Sequence, residues 1–295
     1  MKSDTNSTTI SKDQLEEIKE PYALDQETAI QAGVECGYTI RMFVNSSLPH
    51  RDPKTDTFER INANETILIK DVAKVGLPYG STARLILAYL TTEAVKTRQP
   101  RINLGQSQIA FMKKLGITKL GGGKRGSTTS VKKQLISLFG CTILYKMEGI
   151  EGIEIKMSAI GSHLKLKFYE EKDQWQSYVT LTDEFYKEII KSPIPIDLIT
   201  LNALKGSPMS MDIYCWLTFR MSYITKTQYI PFTLLQKQFG SGYPFDKKGR
   251  NNFQIRFKRG LKKVQKHFEF TTEIARGRLI LKAGQTHIRM LNKVS

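Results

Sequence analysis

An α+β fold made of two tandem modules is what the amino-acid order predicts, and three observations carry it. Three helical segments followed by a β-hairpin occur twice along the 295-residue chain. Landmarks in the two runs recur at near-constant offsets: Ala88–Thr91 (AYLT) matches Cys215–Thr218 (CWLT) 127 residues on, Gly116 matches Gly240 at 124, and Phe139 matches Phe268 at 129. An internal duplication of about 125 residues accounts for all three. In the second run the third helix is strongly basic and a short hairpin follows it, the order of a recognition helix and its wing. The predicted architecture is therefore two tandem winged helix-turn-helix domains. Residues 71–190 make the first and 191–295 the second, behind an N-terminal head of residues 1–70.

The head is the least patterned part. Residues 1–20 read as loosely ordered, except that SKDQ from Ser11 can open a short helix through a capping box with Gln14. Tyr38–Val44 and Thr66–Ile69 are expected strands, and the stretch between them, with Pro49 and Pro53, is expected to be loop. In the first module, Arg84–Thr97 is apolar nearly all round, as a buried helix should be, and it stops before Pro100. Arg101–Leu104 is a short strand. Gln106–Leu115 is a helix ending at Gly116, and the glycine loop Gly121–Ser127 leads into a third helix, Thr128–Phe139. Strands follow at Cys141–Met147, Gly152–Ser158 and Leu164–Phe168. Downstream the order repeats: Met209–Tyr223 is a buried helix, Ile230 a bridge, Phe232–Phe239 a helix ending at Gly240, and Asn251–Phe268 a long basic helix. Phe270–Ile274 and Arg278–Lys282 then form a hairpin.

Charge singles out one partner class. The chain carries 45 Lys and Arg against 28 Asp and Glu, a net of +17. Residues 1–70 carry −4 and residues 71–295 carry +21, with +11 in residues 241–295 alone. Such a body favours a polyanion, because each neutralised phosphate releases condensed counterions. An acidic lipid surface or an inert basic surface is the competing reading. The longest apolar runs are far short of a membrane span. Three scattered cysteines, Cys36, Cys141 and Cys215, form no disulfide framework or metal clip. With a polar N-terminus lacking the apolar stretch of a secretory signal, the expected compartment is the cytoplasm.

The basic helix locates the signal. Phe253, Phe257, Leu261, Val264 and Phe268 fall within an arc of about 80° and form a core stripe. From Lys247 to Phe268 there are nine Lys or Arg and no acid, whereas a merely solvated helix mixes signs to form i,i+4 pairs. Asn252, Arg256 and Arg259 are the candidate base readers, since Asn and Arg can make bidentate hydrogen bonds to adenine and guanine edges. Lys262, Lys263 and Lys266, with Lys247, Lys248 and Arg250 on the preceding loop and Arg276 and Arg278 at the hairpin tip, are candidate phosphate contacts. In the first module the corresponding candidates are Lys124, Arg125, Ser130, Lys133 and Ser137. There a structural or dimer-forming role stands level with DNA contact. Gly260, inside the basic helix, costs roughly 1 kcal/mol relative to Ala, and a close approach is one reason for it.

Other chemistries find little support. Gly121, Gly123 and Gly126 match GxGxxG, but no strand–loop–helix context surrounds them, and Ser127 stands where a Walker lysine would be. His50, His163, His267 and His287 show no HxxxH or HxH spacing, so no metal, cofactor or catalytic residue is expected.

At Val75–Thr97 (VGLPYGSTARLILAYLTTEAVKT), Gly121–Thr129 (GGGKRGSTT) and Phe185–Arg220 the sequence resembles plasmid-encoded replication initiators of the RepA type, over about residues 70–295. The resemblance implies tandem winged helices that bind repeated double-stranded DNA sites at a plasmid origin in a bacterial cytoplasm and help to open it. It also implies recruitment of a host initiator and helicase without intrinsic nicking or ATPase activity, and a first module that often forms a homodimer. A transcriptional repressor of the same architecture is the alternative function. A DNA nickase is a third, but it would need a histidine pair and a nucleophilic tyrosine, and the sequence lacks the pair.

Overall fold

The computed structural model describes residues 35–62, 64–119, 121, 123, 126–149, 152–166, 177–240 and 242–288. It is a mixed α+β structure. The expected helix at Ser11, Lys124 and Arg125 of the glycine loop, and the end of the strand expected at Leu164–Phe168 lie outside these residues.

The chain enters through β1 (Cys36–Ile40) and one helical turn, α1 (Arg41–Asn45). The sequence predicts strand through Val44. Met42, Phe43 and Val44 are instead consecutively buried, which a half-exposed strand cannot do and a packed helical turn can. β2 (Thr57–Asn62) and β3 (Glu65–Asp71) follow, β2 falling where a loop was expected. Next come α2 (Gly80–Thr97), β4 (Arg101–Asn103), α3 (Gln108–Lys114), α4 (Ser127–Phe139), β5 (Cys141–Gly149), β6 (Gly152–Ala159), β7 (Gly161–Lys165) and β8 (Tyr178–Leu181). A connecting segment of α5 (Asp183–Lys191), β9 (Pro193–Asp197) and α6 (Leu198–Ala203) leads to α7 (Pro208–Met221), β10 (Gln228–Pro231), α8 (Phe232–Phe239), α9 (Lys247–Val264), β11 (Thr272–Ala275) and β12 (Arg278–Leu281).

Sheet order revises the expected hairpin of the first module. Its first short strand, β4, pairs antiparallel with β8, and β8 with β7. The predicted hairpin Cys141–Met147/Gly152–Ser158, here β5–β6, belongs to another sheet, ordered β2-β3-β5-β6. In the second half of the chain β10 pairs with β12 and β12 with β11. The orders β4-β8-β7 and β10-β12-β11 therefore correspond strand for strand, each following the same helix, strand, helix, helix succession. β5–β6 is an extra hairpin between α4 and β7, and it is completed by two strands of the head: β3 pairs with β5 from Glu65↔Met147 to Asp71↔Cys141, across the boundary drawn at residue 70.

The two halves share one core. α2 and α7, both buried on nearly every side, pack against each other in its centre. Their polar residues face inward as well. Arg84 on α2 meets Asp212 on α7 with both side chains 8% exposed. Arg60 on β2, fully enclosed, donates to the Ser47 carbonyl at 2.9 Å and to the Gln238 carbonyl of α8 at 2.6 Å. Burial lowers the Arg60 guanidinium to about 10 despite the nearby Asp212 carboxylate.

Candidate nucleic-acid interface

The position of α9 is set by aromatic packing. Phe253 and Phe257 are completely buried. Phe257 stands 5.5 Å from Phe239 and 5.8 Å from Phe232, ring centre to ring centre, and Phe239 packs edge-on against Trp216 at 5.6 Å. Trp216 is therefore core. Gly260 is bare for a reason internal to the chain: a Cβ there would lie 2.9 Å from Ile213 Cδ1 on α7. The close approach that offsets its poor helix propensity is to α7.

The helix begins earlier than the sequence predicts. Asp246 is its N-cap, with Oδ1 accepting from the Gly249 amide at 2.6 Å. Lys247, Lys248 and Arg250 thus lie in the first helical turn rather than on a loop. Gly249 hides this start, and it is required because a Cβ would fall 2.0 Å from the Pro244 carbonyl oxygen. The helix also ends earlier, at Val264, so Lys266 lies in the following turn, although Phe268 still reaches the core.

Opposite the core stripe the helix presents one face. Asn252, Arg256, Arg259, Lys262 and Lys263 are exposed, as are Lys247, Lys248, Arg250 and Lys266. Asn251, Ile255 and Lys258, left out of the sequence-based selection, share that exposure. The wheel that placed the others outward places these outward too. Among the described residues none of these lysines and arginines forms an ion pair with an Asp or Glu. Lys247, Lys248 and Arg250 moreover sit at the positive end of the helix dipole, and α9 has no acid in its first turn. Like charge gathered there is a cost that a bound anion offsets. β11 and β12 are joined by a two-residue turn, Arg276 and Gly277, with φ of 48° and 73°. This is the positive-φ turn that suits a tight hairpin. Arg276 and Arg278 are exposed at its tip.

The first module offers much less. Ser137 is completely buried, which corrects its expected outward position: α4 packs on α2 and also on β7, so a second face of this helix is covered. The Lys133 ammonium is 3.6 Å from Asp52 and sits over the Tyr79 ring, and the Ser130 hydroxyl is 3.2 Å from that of Thr82.

Comparison with known proteins then decides the family. The model of the plasmid encoded RepA protein family matches residues 77–233, more than half of the chain. The chain belongs to the plasmid-encoded RepA family. It is a plasmid replication initiator of that type, and the matched segment runs from just before α2 into α8, leaving α9 beyond it. Among solved structures, the crystal structure of domains 2 and 3 of RctB shares its fold with a TM-score of 0.50 and 9% identity, over 81% of this chain and 94% of that one. Comparison with curated proteins gives no match. Among the described residues no helix is long and apolar enough to cross a membrane.

Proposed function

We propose that this RepA protein initiates replication by binding repeated double-stranded sites at a plasmid origin, with α9 in the major groove and the β11–β12 turn against the adjacent backbone. The observation that carries this reading is the exposed face of α9, whose cations have no acidic partner among the described residues. Asn252, Arg256 and Arg259 read bases, while Lys247, Lys248, Arg250, Lys262, Lys263, Lys266, Arg276 and Arg278 hold phosphates. The shared strand order β4-β8-β7 and β10-β12-β11 supports two winged-helix modules derived by duplication. The first contributes contacts to its own core and to a second copy of the chain rather than to bases. Origin opening, recruitment of a host initiator and helicase, and action in the cytoplasm without any nicking of DNA complete the proposal.

The surface for that second copy is β6. Among the described residues it is an edge strand, and Ile153, Ile155 and Met157 along it are 65%, 60% and 68% exposed. A long apolar edge is a template for pairing. Antiparallel pairing of two copies centred on Ile155 sets Glu154 of each opposite Lys156 of the other and Ile153 opposite Met157, so the edge is complementary to itself in both charge and shape.

Footprinting on DNA flanking the coding region tests the main reading. Several protected repeats are expected, and an absence of protection would sink it. Supplying the protein in trans to a replication-dead plasmid that carries the protected region separates initiator from repressor, because a repressor gives no rescue. Relaxation of supercoiled DNA by the protein with Mg²⁺ would overturn the non-nicking assignment.

A further inference from the structure

One residue on the α9 face does not fit a purely ionic role. Ile255 is 56% exposed and points diametrically away from the stripe of Phe253, Phe257, Leu261 and Val264. Its neighbours on the helix surface, three, four and seven residues away, are Asn251, Asn252, Lys248, Lys258, Arg259 and Lys262, all exposed and all polar. Ile255 is thus the apolar centre of a cationic face, isolated from any other exposed hydrophobic side chain on its own helix.

That isolation narrows what meets it. A protein partner that buries an apolar anchor needs a contiguous apolar patch around it, and α9 supplies none beside Ile255. A major groove offers scattered hydrogen-bonding edges and one kind of apolar group, the 5-methyl of thymine. We infer that Ile255 is a specificity-determining residue that packs on a thymine 5-methyl group in the binding site, one helical turn from the base edges read by Asn252 on one side and Arg259 on the other. The inference rests on the proposed seating of α9 in the major groove and adds a preference that hydrogen bonding alone does not supply. Cytosine presents hydrogen at the same ring position, so the contact discriminates thymine from cytosine by shape.

Replacing single thymines by deoxyuridine removes the methyl group and leaves every hydrogen-bonding edge intact. On a footprinted repeat, the wild-type protein is expected to lose about fourfold in affinity at one or two thymines, the worth of one buried methyl, and to be indifferent at the others. Ile255→Ala, at an exposed site where Ala is the better helix former, is expected to bind the unmodified repeat that much more weakly and to lose the deoxyuridine sensitivity at those same positions. Arg256→Ala, run alongside, is expected to keep that sensitivity. Wild type indifferent to every substitution, or Ile255→Ala retaining full sensitivity, overturns the assignment while leaving α9 as the reader. Failure of wild type to bind any origin duplex overturns the groove-reading function itself, and with it this role.

Discussion

Arg84 and Asp212 form a two-pronged ion pair, Nε to Oδ1 at 2.6 Å and Nη2 to Oδ2 at 2.7 Å, that joins α2 to α7 across the two modules. The remaining donors of Arg84 go to the carbonyls of Leu48, Pro49 and Gly80, so the same guanidinium also pins the loop after α1. Burial alone would raise the Asp212 carboxyl, but Arg84 and His50 hold it well below the ordinary carboxylate range. A buried pair of this kind costs much to desolvate, so its value shows when it is broken: a lone charge left behind destabilises by about 3–5 kcal/mol. Asp212→Ala is expected to lower the unfolding free energy by that amount, read from the urea midpoint and slope of one cooperative transition spanning both halves of the chain. Arg84→Met with Asp212→Leu is expected to recover part of it, since neither member of the pair is left alone, while the enclosed Arg60 cation loses its nearby carboxylate. A double-mutant cycle by chemical denaturation measures the coupling.

His50 makes the same cluster sensitive to pH. Its Nε2 lies 2.8 Å from Asp212 Oδ2, yet burial, aided by the nearby Arg84 and Arg60 guanidinium groups, lowers its pKa against the pull of the carboxylate. The folded state therefore binds this proton less readily than the unfolded chain. The His50 contribution is complete above the ordinary histidine pKa of 6.5 and is lost as pH falls below it. Wild-type stability is expected to decline between about pH 7 and pH 5.5, by no more than about 1.4 kcal/mol per unit for this one group. The Asp212 contribution survives until far more acidic solution. His50→Gln is expected to flatten the slope in urea titrations taken across that range.

On DNA, the α9 residues are expected to separate into two classes. Arg256→Ala should cost ~1–3 kcal/mol and relax preference at one base pair, whereas Lys263→Ala should weaken all sequences alike and make the salt slope shallower by about one. With ~8 phosphates neutralised, the slope of log K against log salt is near −7. Fluorescence anisotropy on specific and scrambled duplexes at several salt concentrations measures both, and a wild-type slope shallower than about −2 removes the electrostatic basis for the interface.

The candidate interface was more legible than its surroundings because its signals are local. The apolar stripe of Phe253, Phe257, Leu261 and Val264 follows from helical period, the run of cations without an acid stands in the sequence itself, and α8 is found at the expected Phe232–Phe239. What escaped depends on distant partners. β2 carries a buried arginine, and only carbonyls at Ser47 and Gln238, 13 and 178 residues away, make Arg60 tolerable in a core strand. The first-module sheet was misassigned because Gly149 and Gly152 mark a tight hairpin locally, while the pairing Arg101↔Thr180 that defines the repeated strand order leaves no local mark. Ser137 reads as a solvent residue on a wheel with one buried face, but α4 has two.

The β6 edge gives the last prediction. Ile155 sits at the proposed two-fold axis, so a single substitution there appears twice in a dimer and meets itself. Ile155→Glu places two like charges directly opposite each other, an arrangement that destabilises cross-strand pairs. Sedimentation velocity is expected to show the wild-type protein as a dimer and Ile155→Glu as a monomer. Thermal stability of the variant at low protein concentration should match that of wild type, since the side chain is 60% exposed within one chain. Ile155→Cys tests the register directly. Residues facing each other across antiparallel strands have Cα atoms about 4.5–5.5 Å apart, within the span of a disulfide. Mild oxidation is therefore expected to cross-link two copies through Cys at 155 and not through Cys placed at Lys146, which lies on β5 away from the edge. Dimers that persist with Ile155→Glu and fail to cross-link would move the homodimer contact off this strand.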